Sequence, residues 1–235
     1  MDKTLPSLAE AVAGIPDGAT IMIGGFGGSG APIELIHALI DQGAKDLTVI
    51  NNNAGNGHVG IAALIEQKRV RKMICSFPRS ADPRVFTEAY LAGEIELEIV
   101  PQGTLAERIR AGGAGIPAFY TPTSYGTDVA NGKAIGTFEG REYVQERWLK
   151  ADYALIKAEE ADPHGNLTYR MAARNFNPVM ATAATVTIAQ ASKIVELGAI
   201  DPEHVITPGI FVNHIIEVPN PAQEEVLNRE GAVYP

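Results

Sequence analysis

The 235-residue sequence predicts an α/β fold, with a mainly parallel sheet flanked by helices and a more strand-rich second half. Three observations lead to this prediction. Short apolar runs alternate with amphipathic segments over residues 1–111, as in β-α-β units. These apolar runs have the length of strands buried on both faces. Between residues 127 and 218, apolar runs follow one another with turn signals between them. With 46% hydrophobic residues, the chain is expected to form one domain.

The first half is expected to begin with a short helix, because Ser7 and Glu10 have the spacing of a capping box and residues 14–18 provide a turn. Thr104 and Glu107 repeat this spacing, which predicts that a later helix begins there. Between the two capping boxes, the alternating pattern predicts strands over 19–23, 47–50, 72–75 and 96–100, and helices over 33–42, 61–67 and 84–92.

The second half shows weaker signals. Residues 112–126 are rich in Gly, Pro, Thr and Tyr without a helix or strand period, so a long functional or crossover loop is expected there. Residues 219–235 are expected to form an exposed tail or a docking arm. Strands are predicted over 153–157, 166–170, 186–189, 193–196 and 210–212.

The composition argues against several kinds of partner. A net charge of −9 offers no basic surface to nucleic acid, and the only dense basic run, residues 68–72, is either a solvated helix end or a contact for an anionic cofactor tail. No apolar stretch approaches the roughly 20 residues that span a bilayer, so we expect no membrane contact and a cytoplasmic location. The single Cys75 is expected to be a buried structural thiol. The five histidines lack metal-ligand spacing, so no metal site is expected, and His58 is expected to be a loop residue.

Residues 17–32 are the most informative segment, since five glycines fall within residues 24–30 directly after the apolar run 21–23. Glycines let backbone N–H groups approach an anion closely, and the helix that follows Pro32 adds partial positive charge. This pattern favours a small ligand that carries phosphates. A tight turn alone explains such a loop equally well.

Other glycine-loop functions fit poorly. Gly25, Gly27 and Gly30 have the dinucleotide-binding spacing, but Asp46 precedes the next strand, whereas a ribose-binding acid would follow it. No lysine follows the glycines as in a Walker phosphate loop, and Ala31 breaks the Gly-x-Ser-x-Gly nucleophile pattern.

Three loops, over 24–31, 51–57 and 101–103, follow predicted strands and are expected to face one crevice. They contain glycines and the amide side chains Asn52, Asn53 and Gln102, and they contain no carboxylate. Such a crevice can orient carboxylates and thioester carbonyls. It supplies no acid, base or strong nucleophile.

Three segments resemble the A subunits of the coenzyme A transferase family. They are the glycine segment 17–32, the segment 100–115, which begins Val100-Pro101-Gln102-Gly103, and the segment Ala173-Arg174-Asn175-Phe176-Asn177-Pro178. In the glycine segment, every fixed position of the family pattern is filled, by Asp17, Gly18, residues 21–23, Gly24-Gly25-Phe26, Gly30 and Pro32. The resemblance implies the CoA-transferase fold over nearly the whole chain. It also implies a reaction in which a glutamate attacks an acyl-CoA thioester. That glutamate belongs to a Ser-Glu-Asn-Gly motif of the family's B subunits, which this sequence lacks. No catalytic residue is therefore expected here, and a B subunit is the implied partner, in a heterodimer or an A2B2 heterotetramer.

The resemblance also implies roles for individual residues. Gln102, Asn52 and Asn53 correspond to substrate-binding positions, although an ordinary turn explains the two asparagines equally well. CoA and succinyl-CoA are implied as substrates, with no permanently bound cofactor. Coenzyme binding is implied for Gly24, Gly25, Phe26, Gly27, Gly28, Ser29 and Gly30.

Residues 75–79, Cys-Ser-Phe-Pro-Arg, resemble the branch of the family that transfers CoA from succinyl-CoA to 3-oxoadipate in aromatic degradation, the β-ketoadipate pathway. Arg79 is then expected to clamp the distal carboxylate, although a surface arginine explains it nearly as well. An acetoacetate or acetate enzyme is an alternative. A noncatalytic nucleotide- or sugar-phosphate-binding protein is an alternative of another class. Ser124 departs from the family by standing where relatives usually have glycine, which would cost stability if φ is positive there.

Overall fold

The computed structural model describes residues 1–234 and confirms a parallel sheet flanked by helices. Seven strands lie in the order β10-β9-β8-β1-β2-β3-β4, and every neighbouring pair is parallel. A separate antiparallel sheet has the order β5-β7-β6. The strands are β1 Thr20–Ile23, β2 Leu47–Ile50, β3 Val70–Cys75, β4 Glu96–Ile99, β5 Ala118–Thr121, β6 Ile135–Phe138, β7 Arg141–Arg147, β8 Ala151–Ala161, β9 Ala184–Ile194 and β10 His214–Glu217.

Helices cover both faces of the large sheet. Leu39 of α2, Leu64 of α3 and Phe86 of α4 belong to one buried apolar cluster, while Ile109 of α5 and Met180 of α6 belong to the other. No helix within residues 1–234 has both the length and the apolar character that a bilayer crossing requires. The helices are α1 Leu8–Val12, α2 Ile33–Gln42, α3 Gly60–Glu66, α4 Arg84–Leu91, α5 Gln102–Ala114, α6 Asn177–Ala183 and α7 Glu224–Arg229.

The structure confirms most of the elements predicted for the first half. The Ser7 hydroxyl accepts a hydrogen bond from the Glu10 N–H at 3.2 Å, as expected of an N-cap. The predicted bounds of α2 and β2 are those observed. The capping box at Thr104 is wrong, however, because α5 already begins at Gln102, and Thr104 is buried in its first turn.

Several predictions for the second half are also wrong. Residues 112–126 include the end of α5 and all of β5, and residues 166–170 make only isolated bridges at Leu167. The strand predicted over 186–189 lies within β9, and the strand predicted over 193–196 overlaps only the last two residues of the same strand. Residues 209–211 form a 3-10 turn, and the final strand is β10 instead. The helix α6 and the strands β6 and β7 were not predicted.

Residues 219–234 of the tail fold back onto the body of the chain and form an arm docked on it, and Pro235 lies outside the described residues. The Asn228 side chain donates to the Asn56 carbonyl at 3.2 Å, and the Tyr234 N–H donates to the His58 carbonyl at 3.0 Å. The Tyr234 hydroxyl also donates to the Asp41 carboxylate. These contacts hold α7 beside the carboxyl ends of β1 and β2.

Candidate active site

The loops that follow β1, β2 and β3, together with the start of α5, surround a cavity of about 640 Å³. This confirms the crevice expected at the carboxyl edge of the sheet. The volume suits a small organic ligand. The lining residues are Phe26, Gly27, Gly28, Asn52, Asn53, Asn56, Phe77, Arg79, Ser80, Ala81, Gln102, Glu224 and Glu225.

The glycines of the loop 24–30 divide into two groups. Gly27 and Gly28 lie on the cavity wall beside Phe26, whereas Gly24, Gly25 and Gly30 are buried behind it. Gly30 has φ +75° and approaches the Ala173 carbonyl so closely that a β-carbon would lie 2.5 Å from that oxygen. The structure therefore leaves the middle of the loop open to a ligand and uses its ends for packing.

Asn177, which is fully buried, fixes the glycine loop from behind. Its Nδ2 donates to the Gly30 carbonyl at 3.1 Å and to the Ala173 carbonyl at 2.8 Å, and its Oδ1 accepts from the Lys157 N–H at 2.9 Å. Asn175 adds a bond from its Nδ2 to the carbonyl of Ser29 at 2.9 Å. Two of the three segments that resemble the transferase family are thus in direct contact, and one positions the other.

The asparagines after β2 already have partners within the chain. Asn53 donates from Nδ2 to the Gly27 carbonyl at 3.3 Å and accepts at Oδ1 from the Gly55 N–H at 2.9 Å. The Asn52 Oδ1 accepts from the Ser76 hydroxyl at 2.8 Å. Both residues line the cavity, and both also hold the loops together, so their structural role is observed while their role toward substrate stays a prediction.

Arg79 and Gln102, two of the residues predicted to bind substrate, are exposed and line the cavity. Neither side chain forms a hydrogen bond or an ion pair within residues 1–234, so both are available to a ligand. Phe77, which is 60% exposed, adds an apolar surface beside them. The cavity wall thus combines one cation, amide groups and aromatic rings, which suits an acid with an organic chain.

The expectation that the crevice holds no carboxylate is wrong, because α7 brings two of them. Glu224 is 5% exposed and Glu225 is exposed, and both line the cavity. Burial, together with the charge of Glu225, raises the pKa of the Glu224 carboxyl to about 7. Sequence reasoning missed Glu224 because nothing local indicates that the tail folds over a loop 196 positions away. Paired glutamates at a helix start were the only signal available.

Other candidate residues lie away from this cavity. The basic run 68–72 forms ion pairs with glutamates in β4 and just before it. The pairs are Lys68–Glu94, Arg71–Glu96 and Lys72–Glu98. His58 bonds the Glu66 carboxylate at 3.1 Å. Cys75 is buried as predicted, and burial raises the pKa of its thiol to about 12, which excludes a reactive thiolate at neutral pH.

A family model described as Coenzyme A transferase matches residues 5–218. The chain belongs to the coenzyme A transferase family. It is 58% identical over 226 residues to the A subunit of 3-oxoadipate CoA-transferase from Pseudomonas putida, and the match covers 96% of this chain and 98% of that relative. It is 52% identical over 216 residues to the A subunit of a probable succinyl-CoA:3-ketoacid coenzyme A transferase from Bacillus subtilis, with 92% and 90% covered.

A solved structure shows the same fold. An acyl-CoA transferase of Escherichia coli O157:H7, crystallised as a thioester complex with CoA, has a TM-score of 0.80 and 24% identity, and the match covers 94% of this chain and 48% of that one. Our CoA-transferase chain thus corresponds to about half of that polypeptide. Family membership makes it part of an enzyme that acts on CoA thioesters, and the names of its relatives, which are A subunits, imply a partner subunit.

Proposed function

We propose that this chain is the A subunit of a transferase that moves CoA from succinyl-CoA to 3-oxoadipate. The observation that carries the proposal is the cavity, where the cation Arg79 and the amide of Gln102 lie exposed beside an open glycine loop. Both substrates carry a free carboxylate on a short chain, which a guanidinium binds bidentately. The 58% identity to the Pseudomonas putida protein supports this choice of acceptor.

In this proposal the chain orients the reactants and the partner supplies the nucleophile. The N–H groups of Gly27 and Gly28 face the coenzyme, and Phe26 packs against its apolar arm. Asn52, Asn53 and Gln102 position the reacting carboxylate and carbonyl oxygens. The other residues of the loop contribute through its shape. Gly24, Gly25 and Gly30 are buried behind the cavity wall, and Ser29 lies between Gly28 and Gly30 in the loop.

The partner in this proposal is a B subunit whose glutamate attacks the thioester. Glu224 does not replace that glutamate in this proposal, because it is buried beside Gly28 and its raised pKa leaves much of it in the neutral form at pH 7, which is a poor nucleophile. Heterodimer and A2B2 assemblies both fit the proposal. The buried Cys75 thiol suits a reducing compartment, and we propose the cytoplasm.

The test is reconstitution of the purified chain with the B subunit. Succinyl-CoA-dependent formation of 3-oxoadipyl-CoA is expected from the mixture and not from the chain alone. Mass spectrometry of the mixture, sampled with succinyl-CoA and no acceptor, is expected to find CoA bound covalently to the B subunit. Activity from the chain alone, or CoA attached to this chain, would contradict the proposal.

The choice of acceptor needs its own measurement. We expect kcat/KM of the reconstituted enzyme to be higher for 3-oxoadipate than for acetoacetate or acetate, because only the first offers a distal carboxylate to Arg79. The reverse order would identify the acetoacetate or acetate enzyme. Tight binding of a nucleotide or sugar phosphate, without transfer to any of the three acids, would favour a noncatalytic binding protein.

A further inference from the structure

Glu224 occupies an unusual place for a carboxyl group. It is the first residue of α7 and is 5% exposed, yet it lies on the cavity wall. Its Oε2 lies 3.0 Å from the position of a β-carbon built on Gly28, and its Oε1 lies 3.5 Å from the corresponding position on Gly60. The absence of side chains at these two glycines gives the carboxyl group room beside the open part of the loop.

This carboxyl group forms neither a hydrogen bond nor an ion pair within residues 1–234, and no hydrogen bond contributes to its raised pKa. A buried polar group without a partner costs free energy, and one that faces a cavity can regain that energy by binding a ligand. The glycine loop and the start of α3 present no charged side chain to it. The Gly28 and Gly60 surfaces are backbone, so a hydrogen-bond partner for this carboxyl group comes from solvent or from a ligand in the cavity.

The charged groups around Glu224 determine its protonation. Glu225 on the same helix is negative, and Arg79 lies on the same cavity wall. Glu34 and Lys157 approach the tail two residues earlier, where the first accepts from the Ala222 N–H and the second donates to the Ala222 carbonyl at 3.3 Å. Burial dominates, and with Glu225 it raises the pKa of Glu224 to about 7, so the neutral acid is well populated near neutral pH.

We propose that Glu224 is a substrate-binding residue of this chain whose protonated carboxyl group donates a hydrogen bond to an oxygen of the acid that accepts CoA. Arg79 pairs with one carboxylate of that acid, and Glu224 recognises a second oxygen, of the 3-oxo group or of the reacting carboxylate. The inference rests on the proposed function and deepens it by naming a second recognition group. An ionised Glu224 would instead repel a dianionic acceptor.

The proposal predicts a pH-dependent affinity for the acceptor. Below pH 7 Glu224 is a donor, and above it Glu224 becomes a second anion facing an acid whose own carboxylates are ionised throughout. The dissociation constant of 3-oxoadipate for the complex with the B subunit is therefore expected to rise about 10-fold between pH 6 and pH 8.5. Isothermal titration calorimetry measures this constant without requiring turnover.

Two substitutions at the same position separate binding from packing. Glu224→Gln keeps an N–H donor and cannot ionise, so we expect 3-oxoadipate affinity within about 3-fold of the wild type at pH 6 and no loss at pH 8.5. Glu224→Leu fills the same space without a polar atom, and we expect a loss of affinity of about 10-fold at pH 6 with a melting temperature no lower than that of the wild type. The matched control is Glu230→Leu, since Glu230 is an exposed glutamate just after the same helix. This substitution should change neither the affinity for 3-oxoadipate nor the melting temperature.

Equal 3-oxoadipate affinities for the wild type and Glu224→Leu would overturn the role of Glu224, as would a pH dependence that survives in Glu224→Gln. These outcomes differ from failure of the proposed function. In that case the wild-type complex itself would not transfer CoA to 3-oxoadipate.

Discussion

The side chain of Asn177 fills the space that a β-carbon on Gly24 would occupy. The same amide bonds Gly30, so one buried side chain holds both ends of the glycine loop against β8. This relationship explains why the segments 24–30 and 173–178 occur together, since each is shaped to fit the other.

Asn177→Ala is therefore expected to lower the free energy of unfolding by about 3 kcal/mol, because it leaves the Lys157 N–H and the Gly30 carbonyl without a partner in a buried site. Urea denaturation of the chain measures the loss. Asn131→Ala, at an exposed position, is the matched control and should lower it by less than about 0.5 kcal/mol. Equal losses would show that Asn177 does not hold the loop.

Ser124 has φ +72°, which confirms the conformation suspected at this departure from the family. Its side chain makes no hydrogen bond within residues 1–234 that would compensate for the strain. Ser124→Gly is expected to raise the free energy of unfolding by about 1 kcal/mol, since glycine adopts positive φ without steric cost. Ser124→Ala keeps the strain and should show no gain. Chemical denaturation of both variants tests this, and a gain in the alanine variant would contradict it.

Arg79→Leu is expected to lower kcat/KM for 3-oxoadipate more than for acetoacetate, by on the order of 2 kcal/mol in transition-state free energy. The reason is that only the dicarboxylate has a second charge for this guanidinium. Steady-state kinetics of the reconstituted enzyme with both acids measures the difference. Arg84→Leu is the control, because Arg84 pairs with Asp82 at 2.7 Å and does not line the cavity. Equal losses on both acids in Arg79→Leu would remove Arg79 from the acceptor site.

Glu224 should also change how stability depends on pH. Its pKa is raised from 4.5 to about 7 in the folded chain, so the fold binds a proton that the unfolded chain releases. Stability from this group is present below pH 4.5 and is lost as the pH rises to about 7. Glu224→Gln should then be more stable than the wild type by up to about 3 kcal/mol at pH 8, and the two should match at pH 4.5. Urea titrations at both pH values decide this, and a constant difference would contradict it.

Cys75 is expected to resist alkylation in the native chain, because burial and a raised thiol pKa leave almost no thiolate at pH 8. Iodoacetamide followed by mass spectrometry should find no adduct in buffer and one adduct in denaturing urea. Rapid labelling of the folded chain would show that the strand end around Cys75 opens.

The sequence predicted the central part of the fold well because its signals are local. The strands β1 and β2 are short apolar runs between turns, and the parallel arrangement of β1 to β4 follows from the helices between them. The strand β6 was missed because three of its four residues are exposed, and β7 was missed because only Tyr143 and Val144 of its seven residues are apolar. In β8 and β9, alanines at buried positions weakened the apolar pattern, so the predicted β8 was too short and β9 was predicted as two strands.

The site, like the fold, could be predicted only where the sequence signals are local. That the loops after β1 and β2 meet could be predicted, because the carboxyl ends of parallel strands share one edge. The contact between Glu224 and Gly28 could not, since it depends on where the tail docks, and a tail with few apolar residues gives no local sign of its destination. The roles assigned to Gln102 and Arg79 stay predictions for the experiments above.

The arrangement of α7 has a practical consequence for anyone preparing this protein. A proteolytic cut after Val218 would leave all ten strands intact, and circular dichroism would report a well-folded sample. That sample would nevertheless lack Glu224 and Glu225 and so one wall of the cavity. Intact mass should therefore be verified before a weak or unselective preparation is attributed to the enzyme itself.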